Sequence, residues 1–303
     1  MPKGSLISDI GSMQLESPLI LASGILDENG YTMRRILEEG AAAVITKSIG
    51  STERTGFTPP VVVDLGENLL NAIGLSNPGI EHFKEEISIA KGIGKPVIGS
   101  IFGATAEEFS YLASRMQSFG ADGVELNLSC PHVKGFGSEV GSDPSLVEEI
   151  VNEVKAKVNV PVFAKLTPNV TDIVLIAKAA EKADAVVLIN TVKAMHIDIY
   201  ARMPTLSNAY GGLSGPAIKP IGVRAVYDVY KETEMDIIGC GGISGFEDVL
   251  EYMMAGARAV EIGTALKSHG HAIFDDIKRD TIRFLESEDI ENIEEIIGAA
   301  VKR

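Results

Sequence analysis

The chain has 303 residues, of which 45% are hydrophobic, so it is long enough to bury a full core as one large domain or as two average ones. It carries 27 Lys and Arg against 42 Asp and Glu, a net charge of −15, and no basic run, which argues against nucleic acid as a partner. Two cysteines are too few for a disulfide framework, a four-cysteine zinc site or a cysteine-ligated iron–sulfur cluster, and they suit a reducing cytoplasm.

The N-terminal residues 1–10 lack the long apolar core of a signal peptide. No later apolar run reaches the ~18–20 residues that a membrane-spanning helix needs. We therefore expect a cytoplasmic protein without a membrane partner.

The first half of the chain predicts a hairpin followed by alternating strands and helices. The hairpin lies within residues 6–20 and turns at Gly11. Helices are expected where apolar residues recur at helical spacing, with Gly40 closing the first and Thr105 capping the third. The predicted strands are 18–24, 41–48, 96–103 and 123–128, and the predicted helices are 31–39, 80–91 and 105–119.

The second half continues the same alternation. Asp143 and Pro144 open a helix, because proline at a first-turn position loses no hydrogen bond. The predicted strands are 161–168, 185–191, 236–243 and 259–265, with helices at 171–183, 217–233 and 246–255 and helical sequence to the C-terminus. Each parallel connection needs a crossover helix, so eight such units predict one (β/α)8 TIM barrel spanning 1–303 as a single domain. Insertions follow the second, fourth and sixth strands, at 49–79, 133–141 and 192–216.

Cys130 follows the fourth predicted strand. Pro131 ends that strand and a glycine-rich segment follows, so the thiol belongs to the barrel face where catalytic residues gather, beside a loop suited to be a lid. An inert buried thiol is the ordinary alternative, but it would need neither Asn127 three residues before nor a proline directly after. Cys240 lacks such neighbours and is interpreted as packing.

Glycines end the seventh and eighth predicted strands, as Gly241-Gly242 and Gly263-Thr264. Glycine also serves in tight turns, but the loops after these two barrel strands commonly hold phosphate through backbone N–H groups. Both sites together predict a phosphate-bearing ligand. No Gly-x-Gly-x-x-Gly follows an early strand, so a Rossmann site is not implied.

Lys47 and Lys165 end strands on the same rim and suit an anionic or electron-accepting partner. Asn71, Asn127 and Asn190 add amides that both donate and accept hydrogen bonds, although lone asparagines are ordinarily turn formers. No metal site is expected, because no metal-ligand spacing beside carboxylates is found at His82, His196, His269 or His271.

These motifs in combination resemble dihydroorotate dehydrogenase over residues 5–285. Cys130, where the membrane-associated class has Ser, resembles class 1, and segments 165–172 and 211–220 resemble class 1B, a catalytic subunit that works with a separate electron-transfer subunit. The motifs that carry the resemblance are Ser23-Gly24, Thr46-Lys47-Ser48, Asn71-Ala-Ile-Gly-Leu75, Asn127-Leu-Ser-Cys-Pro131, Lys165 to Asp172, Ile189-Asn-Thr191, Gly211 to Pro220, Gly241-Gly242 and Gly263-Thr264.

The resemblance implies an FMN-dependent enzyme that oxidises (S)-dihydroorotate to orotate in de novo pyrimidine (UMP) biosynthesis, with Cys130 as the catalytic base. It implies that one FMN per chain is held by Ser23, Lys47, Ser48, Asn127, Lys165, Ile189, Gly215, Gly241, Gly242, Gly263 and Thr264. It implies that substrate is held by Lys47, Asn71, Ala72, Ile73, Gly74, Leu75, Asn127, Asn190 and Thr191.

The class 1B likeness also implies a partner. Electrons would pass to NAD⁺ through a subunit carrying FAD and a 2Fe–2S cluster, because the two cysteines of this chain cannot hold that cluster. The expected assembly is a homodimer joined to this subunit as a heterotetramer.

Three positions depart from the family pattern: His132 and Ser100 stand where asparagine is usual, and Ala194 stands where glycine is usual. His132 bears on pyrimidine specificity and keeps a second enzyme hypothesis open, an FMN-dependent dihydropyrimidine dehydrogenase or reductase. A hypothesis of another class is a non-catalytic barrel that binds a phosphate ligand and docks a partner.

Overall fold

A computed structural model describes residues 4–128 and 140–302. Its strands are β1 (Ser8–Ile10), β2 (Met13–Leu15), β3 (Leu19–Leu21), β4 (Ala43–Ile45), β5 (Val62–Leu65), β6 (Asn68–Asn71), β7 (Val97–Ile101), β8 (Gly123–Asn127), β9 (Val162–Lys165), β10 (Ala185–Leu188), β11 (Val192–Ala194), β12 (Ile197–Asp198), β13 (Met203–Pro204), β14 (Gly211–Ser214), β15 (Ile237–Cys240) and β16 (Ala259–Ile262). Its α-helices are α1 (Gly30–Glu38), α2 (Lys84–Ala90), α3 (Ala106–Ser118), α4 (Pro144–Lys157), α5 (Ile173–Ala179), α6 (Lys219–Glu232), α7 (Phe246–Ala255), α8 (Leu266–His269) and α9 (Ile273–Ser287).

Eight parallel strands close into a barrel in chain order: β3, β4, β7, β8, β9, β10, β15 and β16, with β16 pairing back to β3. The predicted (β/α)8 TIM barrel is confirmed. Because every strand runs in the same direction, all eight carboxyl ends open on one face, which is where ligands bind in this architecture.

Side-chain alternation along the strands separates two apolar cores. In β9, Val162 and Ala164 point outward into the large core shared with the helices, whereas Phe163 points into the barrel. In β8, Val124 and Leu126 likewise pack outward. Since side chains alternate along a strand, the intervening residues face the barrel axis, and near the carboxyl ends several of them are polar.

The N-terminal hairpin pairs β1 with β2 around Gly11, as predicted. Its apolar residues Ile10, Met13 and Leu15 pack against the interior core of the barrel. The hairpin therefore plugs one end of the barrel and leaves the carboxyl-end face for ligands.

The second and sixth barrel strands are followed by insertions that join in one four-stranded antiparallel sheet, in the order β11, β14, β6, β5. We predicted Asn71 to begin a loop, but it ends β6 and lies opposite Gly212 of β14, because the two insertions supply each other's backbone partners. The predicted insertion 133–141 lies mostly outside the described residues.

The helices agree with the predicted ones to within a few residues. Thr105 caps α3 and Asp143 caps α4, each accepting a hydrogen bond from a backbone N–H of the first turn. Residues 80–91 begin as a 3₁₀ turn (Ile80–Phe83) before α2.

The prediction of helix to the C-terminus is wrong beyond Ser287. Asp289 has a left-handed backbone (φ 60°), which ends helical continuation, and between it and residue 302 a short 3₁₀ turn (Ile293–Ile296) is the one helical element. None of the helices in ranges 4–128 and 140–302 combines the length and apolar character required to cross a membrane.

Candidate active site

A cavity of about 340 Å³ opens at the carboxyl ends of the barrel strands. The four-stranded sheet covers it, since Val62, Leu69 and Ser214 of that sheet line the cavity. All eleven predicted FMN-contacting residues line it: Ser23, Lys47, Ser48, Asn127, Lys165, Ile189, Gly215, Gly241, Gly242, Gly263 and Thr264. The structure thus brings together residues separated by up to 241 positions in the chain.

The loop after β15 depends on glycine. Gly241 and Gly242 have left-handed backbones (φ 118° and 74°), which residues with side chains rarely adopt. A Cβ on Gly242 would lie 2.8 Å from Cβ of Lys219 and 2.9 Å from the carbonyl oxygen of Gly215. The backbone there packs too closely for any side chain, so this loop can keep its shape at the edge of the cavity only with glycine at position 242.

The loop after β16 meets the covering sheet. Thr264 Oγ1 donates a hydrogen bond to Ser214 Oγ at 2.8 Å. Gly263 differs from Gly242, because a Cβ there would make only an ordinary contact of 3.4 Å with Cβ of Ala22. Steric need therefore explains the glycines after β15 but not the one after β16.

Lys47, just past β4, forms an ion pair with Glu28 (Nζ to Oε1 3.2 Å), whose side chain is 72% exposed. Its backbone N–H donates to the carbonyl of Asp27, which is itself buried. Burial raises the pKa of the Asp27 carboxyl to about 6, against the opposing effects of the Gly24 N–H and of Lys47.

A row of side-chain hydrogen bonds leads inward from the cavity. Asn127 Nδ2 donates to Ser48 Oγ at 3.0 Å, and Ser48 Oγ lies 2.9 Å from Ser100 Oγ. Ser23 Oγ lies 3.3 Å from the same Ser48 hydroxyl. Ser100, one of the departures from the family pattern, donates onward to Glu125 Oε1 at 3.0 Å.

Lys165 ends in a cluster with two carboxylates that our sequence analysis missed, Glu125 of β8 and Glu261 of β16. Lys165 Nζ lies 2.5 Å from Glu261 Oε2 and 3.7 Å from Glu125 Oε2. The relative exposures are 4% for Lys165, 0% for Glu125 and 1% for Glu261, yet all three line the cavity. The signal available in the sequence was position, since each occupies an inward-facing place near the carboxyl end of its strand.

Burial governs the titration of this cluster. Burial raises the pKa of Glu125 to about 8, although Lys165 opposes the rise. Burial alone would lower the pKa of Lys165, but the charges of Glu125 and Glu261 outweigh it and hold that pKa above its ordinary value. Lys165 therefore stays charged and Glu125 tends to keep its proton.

Cys240 was interpreted as packing, and it does pack against the interior core of the barrel. It also lines the cavity beside the Lys165 cluster. Burial raises the pKa of its thiol, so the group stays neutral and is a poor nucleophile.

Most of the predicted substrate residues also reach the cavity. The cavity is lined by Lys47, Asn71, Ile73, Gly74, Leu75, Asn127, Asn190 and Thr191. Ala72 is the exception: it is buried in a small cluster with Val63, Leu70 and Leu206, so the structure does not bring its side chain to the cavity. The strand alternation around Asn71 turns Ala72 to the opposite face.

Cys130 and His132 lie outside the described residues, so the catalytic role of Cys130 stays a prediction. Within ranges 4–128 and 140–302, no group of three His, Cys, Asp or Glu side chains is arranged to hold a metal ion.

A family model described as dihydroorotate dehydrogenase matches residues 5–285. The chain belongs to the dihydroorotate dehydrogenase family. The resemblance seen in the sequence is confirmed, and its extent coincides with the matched range.

The chain is similar to named members of this dihydroorotate dehydrogenase family. A protein of Thermoplasma acidophilum is 63% identical over 297 residues, covering 98% of this chain and 99% of that protein. One of Thermoplasma volcanium is 63% identical (97% and 98% covered), and one of Pyrococcus horikoshii is 49% identical (100% of both). Each of these three is named dihydroorotate dehydrogenase B (NAD(+)), catalytic subunit.

Proposed function

We propose that this chain is the catalytic subunit of a dihydroorotate dehydrogenase that oxidises (S)-dihydroorotate to orotate in pyrimidine biosynthesis. The observation that carries the proposal is that the two strand-end lysines, Lys47 and Lys165, line the same cavity as the glycine loops after β15 and β16. The chain is also 63% identical to a protein named as a dihydroorotate dehydrogenase catalytic subunit. The two cysteines fit a cytoplasmic enzyme.

FMN is the cofactor we propose for this cavity. Its phosphate would lie against the glycine loops after β15 and β16, where side chains are excluded at Gly242. Lys165 would help to hold the flavin, together with Ser48 and Asn127 of the polar row, because all three line the cavity. When bound, the flavin supplies the acceptor for the substrate hydride.

The substrate is proposed to be held by its charges and amides. Lys47 would pair with the substrate carboxylate, displacing the exposed Glu28 side chain that now contacts it. Asn127 and Asn190 would hydrogen-bond the amide edges of the ring.

Cys130 is the proposed base, which removes a proton from one carbon as hydride leaves its neighbour. An ordinary thiol has a pKa of about 8.5, so the rate should rise with pH until the thiolate is fully formed. Cys130→Ala should lower kcat roughly 10²–10⁴-fold with the flavin still bound. A Cys130→Ala form as fast as the parent would contradict this role.

The decisive experiment is an absorption spectrum of the purified chain before and after anaerobic dihydroorotate. We expect flavin absorption that bleaches on addition of substrate. A colourless protein would support the non-catalytic barrel instead, and a coloured protein that does not bleach would contradict the substrate.

A dihydropyrimidine dehydrogenase or reductase is the second candidate, because His132 stands where the family usually has asparagine. Competition between dihydroorotate and dihydrouracil separates the two, since only dihydroorotate offers a carboxylate to Lys47. Lys47→Met should erase the preference for dihydroorotate, and Lys182→Met, exposed after α5, should keep it.

The proposed assembly is a homodimer bound to a subunit with FAD and a 2Fe–2S cluster, with NAD⁺ as final acceptor. An exposed apolar hairpin supports an interface: Ile199 and Tyr200, between β12 and β13, are 73% and 92% exposed. Light scattering of the isolated chain and of Tyr200→Glu tests the homodimer, which the charge should dissociate. NAD⁺ reduction by the isolated chain would contradict the need for a partner.

A further inference from the structure

The floor of the cavity carries an unbalanced set of charges. Lys165 is one cation, and it faces two carboxylates, Glu125 and Glu261, that are essentially inaccessible to solvent. If both were ionised, the cluster would hold a net charge of −1 in a water-poor barrel interior, which is costly. The other titratable group facing it, the Cys240 thiol, stays neutral because of its burial and its interaction with Glu261, so it adds no positive charge.

The hydrogen bonds also indicate that the cluster lacks a proton donor. Glu125 Oε2 and Glu261 Oε1 are both buried, and neither finds a hydrogen-bond partner within residues 4–128 and 140–302. The two carboxyl groups flank the same ammonium, with Glu261 Oε2 at 2.5 Å and Glu125 Oε2 at 3.7 Å from Lys165 Nζ. One proton, carried by one carboxyl and accepted by the other, would satisfy both oxygens and bring the net charge to zero.

We propose that Glu125 and Glu261 share a single proton at neutral pH, so that the cavity floor is a neutral cluster of one ammonium, one carboxylate and one carboxylic acid. The raised pKa of Glu125 agrees with this proposal, because it favours the protonated form of that carboxyl group at neutral pH.

The shared proton is connected to the cavity. Ser100 Oγ bonds Glu125 Oε1, and Ser48 Oγ, which lines the cavity, bonds Ser100 Oγ. Hydroxyl groups both donate and accept, so the two serines form a path along which a proton exchanges between the cluster and the cavity.

The consequence for catalysis rests on the proposed function. Lys165 lies at the cavity floor, so the charge of its cluster acts on whatever negative charge develops in a bound flavin. A neutral cluster opposes that charge less than a cluster of −1 would. Glu125 and Glu261 thus act on a bound flavin indirectly: together with their shared proton they set the net charge around Lys165.

Infrared spectroscopy of the full chain, with or without flavin, tests the proton directly. The parent should show the carbonyl band of a buried carboxylic acid at neutral pH, and the band should disappear at alkaline pH. It should be absent from both Glu125→Gln and Glu261→Gln, because either variant leaves one carboxylate for one lysine. Glu149→Gln, exposed on α4, should keep the band.

A parent without the band, or a band that persists in both variants, would overturn the proposal even if the enzyme oxidises dihydroorotate.

In Ser100→Ala the band should remain but shift more slowly in D₂O, and an unchanged exchange rate would overturn the serine path. In the flavin-loaded protein, the reduction potential of the parent should fall more steeply at alkaline pH than that of Glu125→Gln. If the reduction potential fell equally steeply with pH in both proteins, the charge of the cluster would not act on the flavin, and the proposed function would be unaffected.

Discussion

Lys47 and Lys165 both follow apolar strand residues, but the structure gives them different surroundings. The charge of Lys165 is compensated inside the barrel by Glu261 at 2.5 Å. Lys47 forms its ion pair with Glu28, a mostly exposed partner whose attraction is weakened by solvent. Lys47 is therefore the lysine suited to exchange its partner for an anionic substrate, and Lys165 is suited to a fixed charge under a cofactor.

Gly242 provides a test of the phosphate cradle at the scale of one residue. In Gly242→Ala the new methyl group would press on Lys219 and on the Gly215 carbonyl, in a left-handed backbone that alanine resists. We expect the purified variant to retain less FMN and to bind added FMN at least roughly tenfold more weakly, which corresponds to about 1.4 kcal/mol. Fluorescence titration with FMN measures both quantities.

The matched control is Gly120→Ala. Gly120 also has a positive φ (93°), but a methyl group added there would meet no atom within 4 Å, and the residue is not part of the cavity lining. It should lose stability through backbone strain without losing FMN affinity. Equal FMN affinity in the two variants would contradict the cradle.

At the scale of elements, helix α7 fixes the loop after β15 from behind. The buried Tyr252 hydroxyl donates to the carbonyl oxygens of Gly241 (2.8 Å) and Cys240 (3.2 Å). Gly222 of α6 makes room for that hydroxyl, since a Cβ there would collide with it. The cradle is thus held in shape by the packing of two helices and not by its own sequence alone.

Tyr252→Phe should therefore weaken both the fold and the cofactor site. Loss of the hydroxyl should lower the free energy of unfolding by about 1 kcal/mol, and FMN should bind more weakly because the Gly241 carbonyl is no longer held. Urea unfolding and FMN titration measure the two effects. Tyr31→Phe, on the exposed side of α1, is the control, and a Tyr252→Phe protein that matches it in both assays would contradict this role.

The covering sheet shows which elements the sequence did not reveal. Hydrophobic periodicity predicted the barrel strands and helices, because each buries its own apolar face. The sheet pairs β6 with β14, and Leu70 lies opposite Leu213. Strand partners 143 positions apart produce no pattern within either segment of the sequence. The two insertions were therefore predictable separately, but their pairing in one sheet was not.

At the scale of the molecule, the barrel could be predicted because its eight units repeat one local pattern. Family motifs then located the strand-end residues of the cavity. Glu125 and Glu261 escaped because they belong to no such motif, and a charged residue in an otherwise apolar strand is ordinarily exposed. Their burial follows only from closure of the barrel, which turns inward-facing positions of distant strands toward one another.

The same closure gives the whole protein a pH dependence. The pKa of Glu125 is raised from 4.5 to about 8 on folding, so between these values the folded protein holds a proton that the unfolded chain has released. Stability falls with pH wherever the folded state binds more protons. The contribution of Glu125 is therefore complete below its ordinary pKa and is lost as the pH rises through about 8.

Glu125→Gln should remove this dependence, because glutamine resembles the protonated acid at every pH. In urea unfolding from about pH 5 to about pH 9, the parent should lose stability relative to the variant by up to about 1.4 kcal/mol per pH unit, the value for one proton. Asp27, whose pKa is also raised, is present in both proteins and cancels in the difference. Glu149→Gln should follow the parent, and a parent-to-variant difference that stays constant across this range would show that Glu125 holds no extra proton in the fold.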